Sequence, residues 1–399
     1  MSNFKLPTGF KTSGTCCNIK ASGKLDLALF VSDRPASAAG VFTRNLVCGA
    51  PVQLSRERVP SANVQAVVIN SGNANACTGE RGLTDAKSMT ASVAKLIECD
   101  SNSVLVCSTG VIGHPLPMDK IEAGIPAAVS AIGDTEADFQ LAAQAMMTTD
   151  TMQKQSVKKA TINGQLVRVS GAAKGAAMIA PNMGTMLGVV ITDAQLSAQQ
   201  TDAMLRHAVD RSFNCISVEG HTSTSDTVIL LANGASNSGP VADDSDDYAI
   251  IQQLISDVCL ELAQSIIHDA EGADHFVEIT VRGAATEEDA RIIAKTIADD
   301  ALVKTAITGN DPNWGRIVSA CGRTGVQLTE LDITLDLNNV RIFERGAPVS
   351  YDEPALSNSM RDAEQVSIEI QLPFGESEAQ YWTCDLTQEY IRLNSEYTT

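Results

Sequence analysis

The chain has few aromatic residues, few cations and no paired cysteines. Aromatics make up 4% of its 399 residues, which disfavours a recognition surface built on stacked rings; the 28 glycines favour close backbone packing and tight turns instead. Lys and Arg number 29 against 48 Asp and Glu, a formal charge of −19. No basic cluster interrupts that excess, so nucleic acid is excluded as a partner and attraction to an anionic membrane is disfavoured. An anionic substrate must therefore be met by local cations. The ten cysteines form no CxxC pair, and several sit in apolar runs such as SVLVCS, where a reduced thiol packs as a small hydrophobe. The N-terminus lacks the apolar core of a signal peptide, and no stretch approaches 18 uninterrupted apolar residues. The expectation is a cytoplasmic protein that does not span a membrane.

An apolar fraction of 44% and a charged fraction of 19% are those of an ordinary folded chain, long enough for two domains or one large layered domain. Strand and helix signals alternate, which predicts an α/β or α+β fold. VQAVVIN (64–70) and NSVLVCS (102–108) read as buried strands. Apolar spacing predicts helices over 83–99, about 120–132 and 135–148. Asn163-Gly164 between alternating segments predicts a hairpin. MLGVVIT reads as a strand, Ser197 as the cap of a helix, DTVILLANG as another strand, and 247–268 as the longest helix, with Ile250, Ile251, Leu254, Ile255, Val258, Leu262 and Ile266 on one face. HFVEITVRGA opens a further region that includes the hairpin ITLDLNNVRIF. No repeat or linker marks a boundary; the best division is near residue 275.

The stretch KGAAMIAPNMGTMLG (174–188) carries the chemical question. A threonine hydroxyl is a poor nucleophile until a base takes its proton, and an N-terminal threonine supplies that base as its own α-amine. Thr185 reaches that state only if the bond from Gly184 breaks, through attack of its hydroxyl on the preceding carbonyl in a strained backbone. Glycine tolerates such strain. On pattern alone, a Gly-Thr pair that opens an apolar strand is structural far more often than catalytic.

The stretch KGAAMIAPNMGTML resembles the signature of the ornithine acetyltransferase family, the self-cleaving glutamate N-acetyltransferases of arginine biosynthesis. PASAAGVFTRNLVCGAPVQLSRE, AVVINSGNANACTG, CSTGVIGHPLPMDKI, MMTTDT, HDAEGA, GNDPNWGRI and YIRLNSEYTT resemble further blocks of that family, in its order and over nearly the whole chain. The resemblance implies a layered α/β sandwich of the αββα type with a smaller C-terminal α+β region. It implies cleavage between Gly184 and Thr185 into an α chain (1–184) and a β chain (185–399), assembled as a heterotetramer of two of each. Thr185 would take acetyl from N-acetylornithine as an ester and pass it to glutamate. Thr109 and Gly110 would form the oxyanion hole, and Thr148, Lys174, Glu271, Asn394 and Thr399 would join Thr185 in contacting substrate. No cofactor is implied, although acetyl-CoA could serve as a second acetyl donor.

Some positions depart from the family pattern. Gly184 stands where alanine is usual, Asp274-His275 where threonine-lysine is usual, and Ser225 where asparagine is common; His221 is also unusual. Three rival readings stand beside this one. His268, Glu271 and His275 are spaced as a helical zinc site would be, although Gly272 interrupts them and no HExxH is present, so no metal is expected. A self-cleaving amidohydrolase or aminopeptidase would use the same nucleophile with water as acceptor. A non-catalytic binding protein would not need that nucleophile.

Overall fold

A computed structural model of the chain describes residues 5–178 and 186–396. They form an α/β fold of two sheets, each in its own compact unit: one comprises the chain up to Asn214 together with Thr222–Ile266, the other Cys215–His221 and the chain from Ile267.

In the first unit the strands are β1 (Phe10–Thr15), β2 (Leu27–Phe42), β3 (Ser61–Asn73), β4 (Val104–Val111), β5 (Lys154–Ile162), β6 (Gln165–Lys174) and β7 (Leu187–Thr192), followed, after β8 (Ile216–Ser217) of the other unit, by β9 (Thr227–Ala232). The order across the sheet is β4-β3-β2-β9-β7-β6-β5, with β1 also paired to β2. Alternation along β2 sends side chains to both faces. Ala28 and Phe30 join Val67, Ile69 and Leu105 in one core, packed on Phe139, Ala142 and Met146 of α4 (Glu136–Met146). Leu27 and Leu29 join Val68 and Val106 in the other, covered by Leu54 of α1 (Ala50–Glu57), Met89 and Val93 of α2 (Gly79–Leu96) and Ile121 and Ile125 of α3 (Met118–Ser130). Each such large apolar side chain contributes about 1.5–3 kcal/mol on burial, so a sheet covered on both faces is strongly held.

Local signals act where the sequence places them. Asn163 and Gly164 both have positive φ, 50° and 76°, as the tight turn between β5 and β6 requires. Ser197 and Gln200 form a reciprocal capping box on α5 (Ala198–Asp210). In α6 (Asp246–His268), Ile251, Ile255, Val258, Leu262 and Ile266 are fully buried, whereas Ile250 is 39% exposed and does not belong to the expected stripe. By length and composition α6 could cross a membrane, but this apolar stripe is buried within the protein.

The second unit holds β8, β10 (Phe276–Ala284), β11 (Thr334–Leu337), β12 (Val340–Glu344), β13 (Ala347–Pro348), β14 (Gln365–Gln371) and β15 (Ser377–Cys384), in the order β13-β12-β11-β14-β10-β15-β8. Its helices are α7 (Glu287–Ala298), α8 (Ala301–Thr308), α9 (Trp314–Gly322), α10 (Glu353–Asp362) and α11 (Gln388–Glu396). The apolar face of α7, Ala290, Ile293, Ala294 and Ile297, is buried over β10 and β15. Asn338 and Asn339 turn the β11–β12 hairpin with φ of 46° and 62°.

Candidate active site

In the first unit, strand ends gather the polar residues. Lys174 closes β6 opposite Leu187, the first residue of β7. It is 3% exposed, and its Nζ donates to Thr109 Oγ1 at 3.2 Å. Thr109 is itself buried near the end of β4, and Gly110 follows it with a φ of +131°. A Cβ on Gly110 would lie 2.3 Å from the carbonyl carbon of Gly72 on β3, so only glycine fits there. Thr109, Gly110 and Lys174 are thus brought together.

Thr148 joins them through Asp150. The Asp150 carboxylate accepts the Thr148 N–H at 2.9 Å, the Gly175 N–H at 2.6 Å and Lys154 Nζ at 2.7 Å. Burial alone would raise this carboxyl. The Lys174 and Lys154 charges, with the hydrogen bonds from Lys154 and Gly175, outweigh it and hold the group at about 2. Asp150 therefore stays a buried anion that ties the turn carrying Thr148 to the residue after Lys174. Thr148 lines a cavity of about 740 Å³ with Lys20, Gln144 and Met152. Burial, aided by Lys174 and Lys24, pulls the Lys20 ammonium down to about 8 against the attraction of Asp26 and Asp150. Lys20 Nζ donates to the carbonyls of Leu25 and Met147.

A second carboxyl, Asp226, precedes β9. It is fully buried, and its Oδ1 accepts the Met186 N–H at 3.0 Å. The sequence analysis assigned roles to neither carboxyl. Asp150 lay within the MMTTDT block, and its only local signal is Lys154 four residues on. Asp226 has no local signal, because the contact that matters is 40 residues away. Gly184, Thr185 and Thr399 lie outside the described residues.

In the second unit, Asn394 of α11 donates through Nδ2 to Glu271 Oε2 at 3.1 Å. The Thr387 hydroxyl, just before α11, donates to the Gly272 carbonyl, tying the 270–275 turn to that helix. The helical zinc reading does not hold for the three residues that suggested it, because α6 ends at His268 and the chain then turns. His268 stacks on Phe276 with ring centroids 4.1 Å apart, and His275 Nδ1 lies 2.9 Å from Asp385 Oδ2. Among the described residues, no group of three His, Cys, Asp or Glu side chains is arranged to hold a metal ion.

The ArgJ family pattern matches residues 11–399. The arginine biosynthesis bifunctional protein ArgJ of Rhodopirellula baltica is 48% identical over 395 residues, covering 99% of this chain and 96% of that one. The protein of the same name from Geobacter sulfurreducens is 44% identical over 391 residues, covering 98% and 99%. The crystal structure of arginine biosynthesis bifunctional protein ArgJ from Bacillus halodurans matches with a TM-score of 0.51 and 33% identity, over 52% of this chain and 98% of that chain. The chain belongs to the ArgJ family of arginine-biosynthesis acyltransferases.

Proposed function

We propose that the chain cuts itself between Gly184 and Thr185 and that Thr185 then carries acetyl from N-acetylornithine to glutamate. The observation that carries this reading is the Lys174–Thr109 hydrogen bond beside Gly110. Because the Thr109 oxygen accepts from an ammonium, its own proton is left to be donated and is made more acidic by the charge. A polarised hydroxyl next to a backbone N–H is the donor pair that an acyl-transfer oxyanion needs.

In the first half-reaction the Thr185 hydroxyl gives its proton to the Thr185 amine, and its oxygen attacks the acetyl carbonyl. Thr109 and Gly110 hold the resulting oxyanion. The C–N bond to ornithine breaks as the leaving nitrogen takes the proton back from the Thr185 ammonium, which leaves an acetyl ester on Thr185. In the second half-reaction the neutral amine of glutamate attacks that ester, the same donors hold the oxyanion, and the proton shed by glutamate nitrogen returns to the Thr185 oxygen. Lys174 and Thr148 in the first unit, and Glu271, Asn394 and Thr399, serve as substrate contacts. Lys174 answers the need for a local cation set by the overall negative charge. The match of one solved ArgJ chain, over nearly its full length, to only about half of this chain supports a protein of two chains, which we propose form a heterotetramer of two α and two β chains. The relatives' shared name, bifunctional, supports a second acetylation of glutamate from acetyl-CoA.

The test is the intact mass of the denatured protein beside its Thr185→Ala variant, followed by acetyl-transfer assays. Two chains for the parent and one inactive chain for the variant are expected. An uncut parent, or cleavage in the variant, removes Thr185 from its role. Release of ornithine that ignores glutamate would assign the site to a hydrolase.

A further inference from the structure

Lys20 is a partly buried ammonium whose acceptors are neutral. Its Nζ donates to the carbonyls of Leu25 at 2.6 Å and Met147 at 2.7 Å, and among the described residues no carboxylate lies within ion-pair distance of it. An ammonium carries three N–H donors, so one is left over. Lys20 lines the cavity of about 740 Å³ that it shares with Thr148. Its backbone is fixed by Asp26, whose carboxylate accepts the Cys17, Ile19 and Lys20 N–H groups at 2.6, 2.6 and 3.1 Å. The aliphatic stem passes over Gly72 of β3, where a Cβ would lie 2.9 Å from Lys20 Cγ. Gly72 is in turn the register partner of Gly110. Lys20 is thereby packed against the strand end that holds the oxyanion donors in place.

The other charges on this cavity do not neutralise Lys20. The Asp150 carboxylate is already taken by Lys154 and the N–H groups of Thr148 and Gly175. Lys24 adds a second cation at the exposed rim. Burial lowers the Lys20 ammonium to about 8 despite the attraction of Asp26 and Asp150. A carboxylate brought by a ligand would offset the cost of that burial.

We propose that Lys20 is a specificity-determining residue that meets the side-chain carboxylate of the glutamate acceptor. This rests on the acetyl-transfer reading above and adds the basis on which the acceptor is chosen. N-acetylornithine brings one carboxylate and, at the end of its side chain, an ammonium, whereas glutamate brings two carboxylates. Lys174 serves the α-carboxylate that both substrates share. Only the acceptor needs a second cation, and Lys20 has a donor to spare for it. The ammonium of the ornithine side chain gains nothing from Lys20, so this contact belongs to the second half-reaction alone. Lys20 forms no covalent bond and moves no proton.

Lys20→Met keeps the stem over Gly72 and removes the charge. In the variant, kcat/KM for glutamate is expected to fall about 50-fold, mainly through KM. Single-turnover release of ornithine from N-acetylornithine, without glutamate, should stay within about twofold of the parent. The parent should prefer glutamate to glutamine, which lacks only the side-chain charge, by about 50-fold, and the variant should lose most of that preference. Lys20→Arg should restore part of it. Equal slowing of both half-reactions, which a merely structural lysine would give, or a parental preference for glutamate in the folded methionine variant would overturn the proposal.

Should the methionine variant fail to fold, the parent alone supplies the test, because equal use of glutamine and glutamate would also overturn the proposal. Calorimetric titration of both amino acids into the parent separates this assignment from the reading beneath it. A parent that binds glutamate more tightly than glutamine but transfers no acetyl would leave the carboxylate subsite standing and remove the transfer reading. A parent that transfers acetyl to both acceptors alike would remove the Lys20 assignment alone.

Discussion

Lys174 in the first unit and Lys304 in the second are both buried, 3% and 2% exposed, but their ammonium groups meet different surroundings. Lys304 Nζ donates to Thr383 Oγ1 at 2.8 Å and to the Cys384 carbonyl, both on β15. Thr383 Oγ1 passes the chain of hydrogen bonds on to the Ser217 carbonyl at 2.7 Å, on the neighbouring β8. That lysine braces a helix to the edge of a sheet through neutral acceptors. Lys174 instead donates to a hydroxyl beside a glycine of positive φ, and its charge acts on both Asp150 and Asp226. Burial of a cation therefore does not by itself mark a site. What marks one is a cation that gathers other titratable and polar groups at strand ends.

The largest effect should come from two glycines, one in each unit, that share a positive φ and have no room for a Cβ. Gly110 has no room for a Cβ against Gly72 and Asn73, and Gly283, with a φ of +73°, has none against the Leu372 carbonyl at 2.0 Å. Alanine at either position should destabilise by roughly 2–4 kcal/mol. Gly110→Ala should also displace Thr109 and its own N–H and reduce acetyl transfer about 1000-fold, at the upper end for loss of an oxyanion donor. Gly283→Ala, assayed where it remains folded, should transfer normally. Equal activity losses in the two variants would mean that the first unit has no special claim on the chemistry.

The lysines give the next largest contrast. Methionine preserves most of the side chain's volume while removing the ammonium. Lys174→Met should lower kcat/KM about 100-fold while the protein stays folded, since Asp150 keeps Lys154 and two N–H donors. Lys304→Met should leave kcat/KM within about twofold and lower stability by about 1–3 kcal/mol, because the Cys384 carbonyl loses its charged donor. Urea unfolding beside steady-state kinetics separates the two outcomes. A Lys174→Met protein that is destabilised but fully active would reverse the assignment.

Much of this architecture was legible from the sequence, because period and punctuation are local. The Asn163-Gly164 turn, the Ser197 cap and the stripe of α6 need only neighbouring residues to specify them. The longest strand, β2, escaped notice for a physical reason. It carries Pro35 and the exposed run Asp33-Arg34-Pro35, and its register with β3 shifts between Val31 and Ala38. Proline is tolerated at such an irregularity because no ladder hydrogen bond is required of it. Thr109, Gly110 and Lys174 were singled out by resemblance rather than by pattern, since a strand-ending turn and a lone lysine carry no signal of their own. Asp150 and Asp226 gain meaning only from contacts with Lys174, Gly175 and Met186, which no spacing rule connects.

The smallest effect concerns pH and also divides the units. The hydrogen bond and charge of Asp385 raise the His275 imidazolium pKa against the opposing influence of burial. Burial raises the Asp385 carboxyl, but the His275 hydrogen bond and the N–H groups of Asp274 and His275 outweigh it and lower the pKa. A raised histidine pKa contributes stability that is complete below the unfolded value of about 6.5 and is lost as pH rises through the folded value. The lowered Asp385 contributes stability that is complete above about 3.9 and is lost only as pH falls through its folded value. Both contributions are therefore present between about pH 4 and 6.5, and above that range only the His275 contribution fades. His275→Gln should cost on the order of 1–2 kcal/mol at pH 6 and progressively less toward pH 9 in urea unfolding. In the first unit the buried Asp150–Lys154 pair should show no such trend over the same range, because the carboxyl sits at about 2. A difference between parent and His275→Gln that stays constant from pH 6 to 9 would mean that His275 is neutral in the pair and that its bond to Asp385 is an ordinary hydrogen bond. In that case the charge-based part of the contrast would belong to the first unit alone.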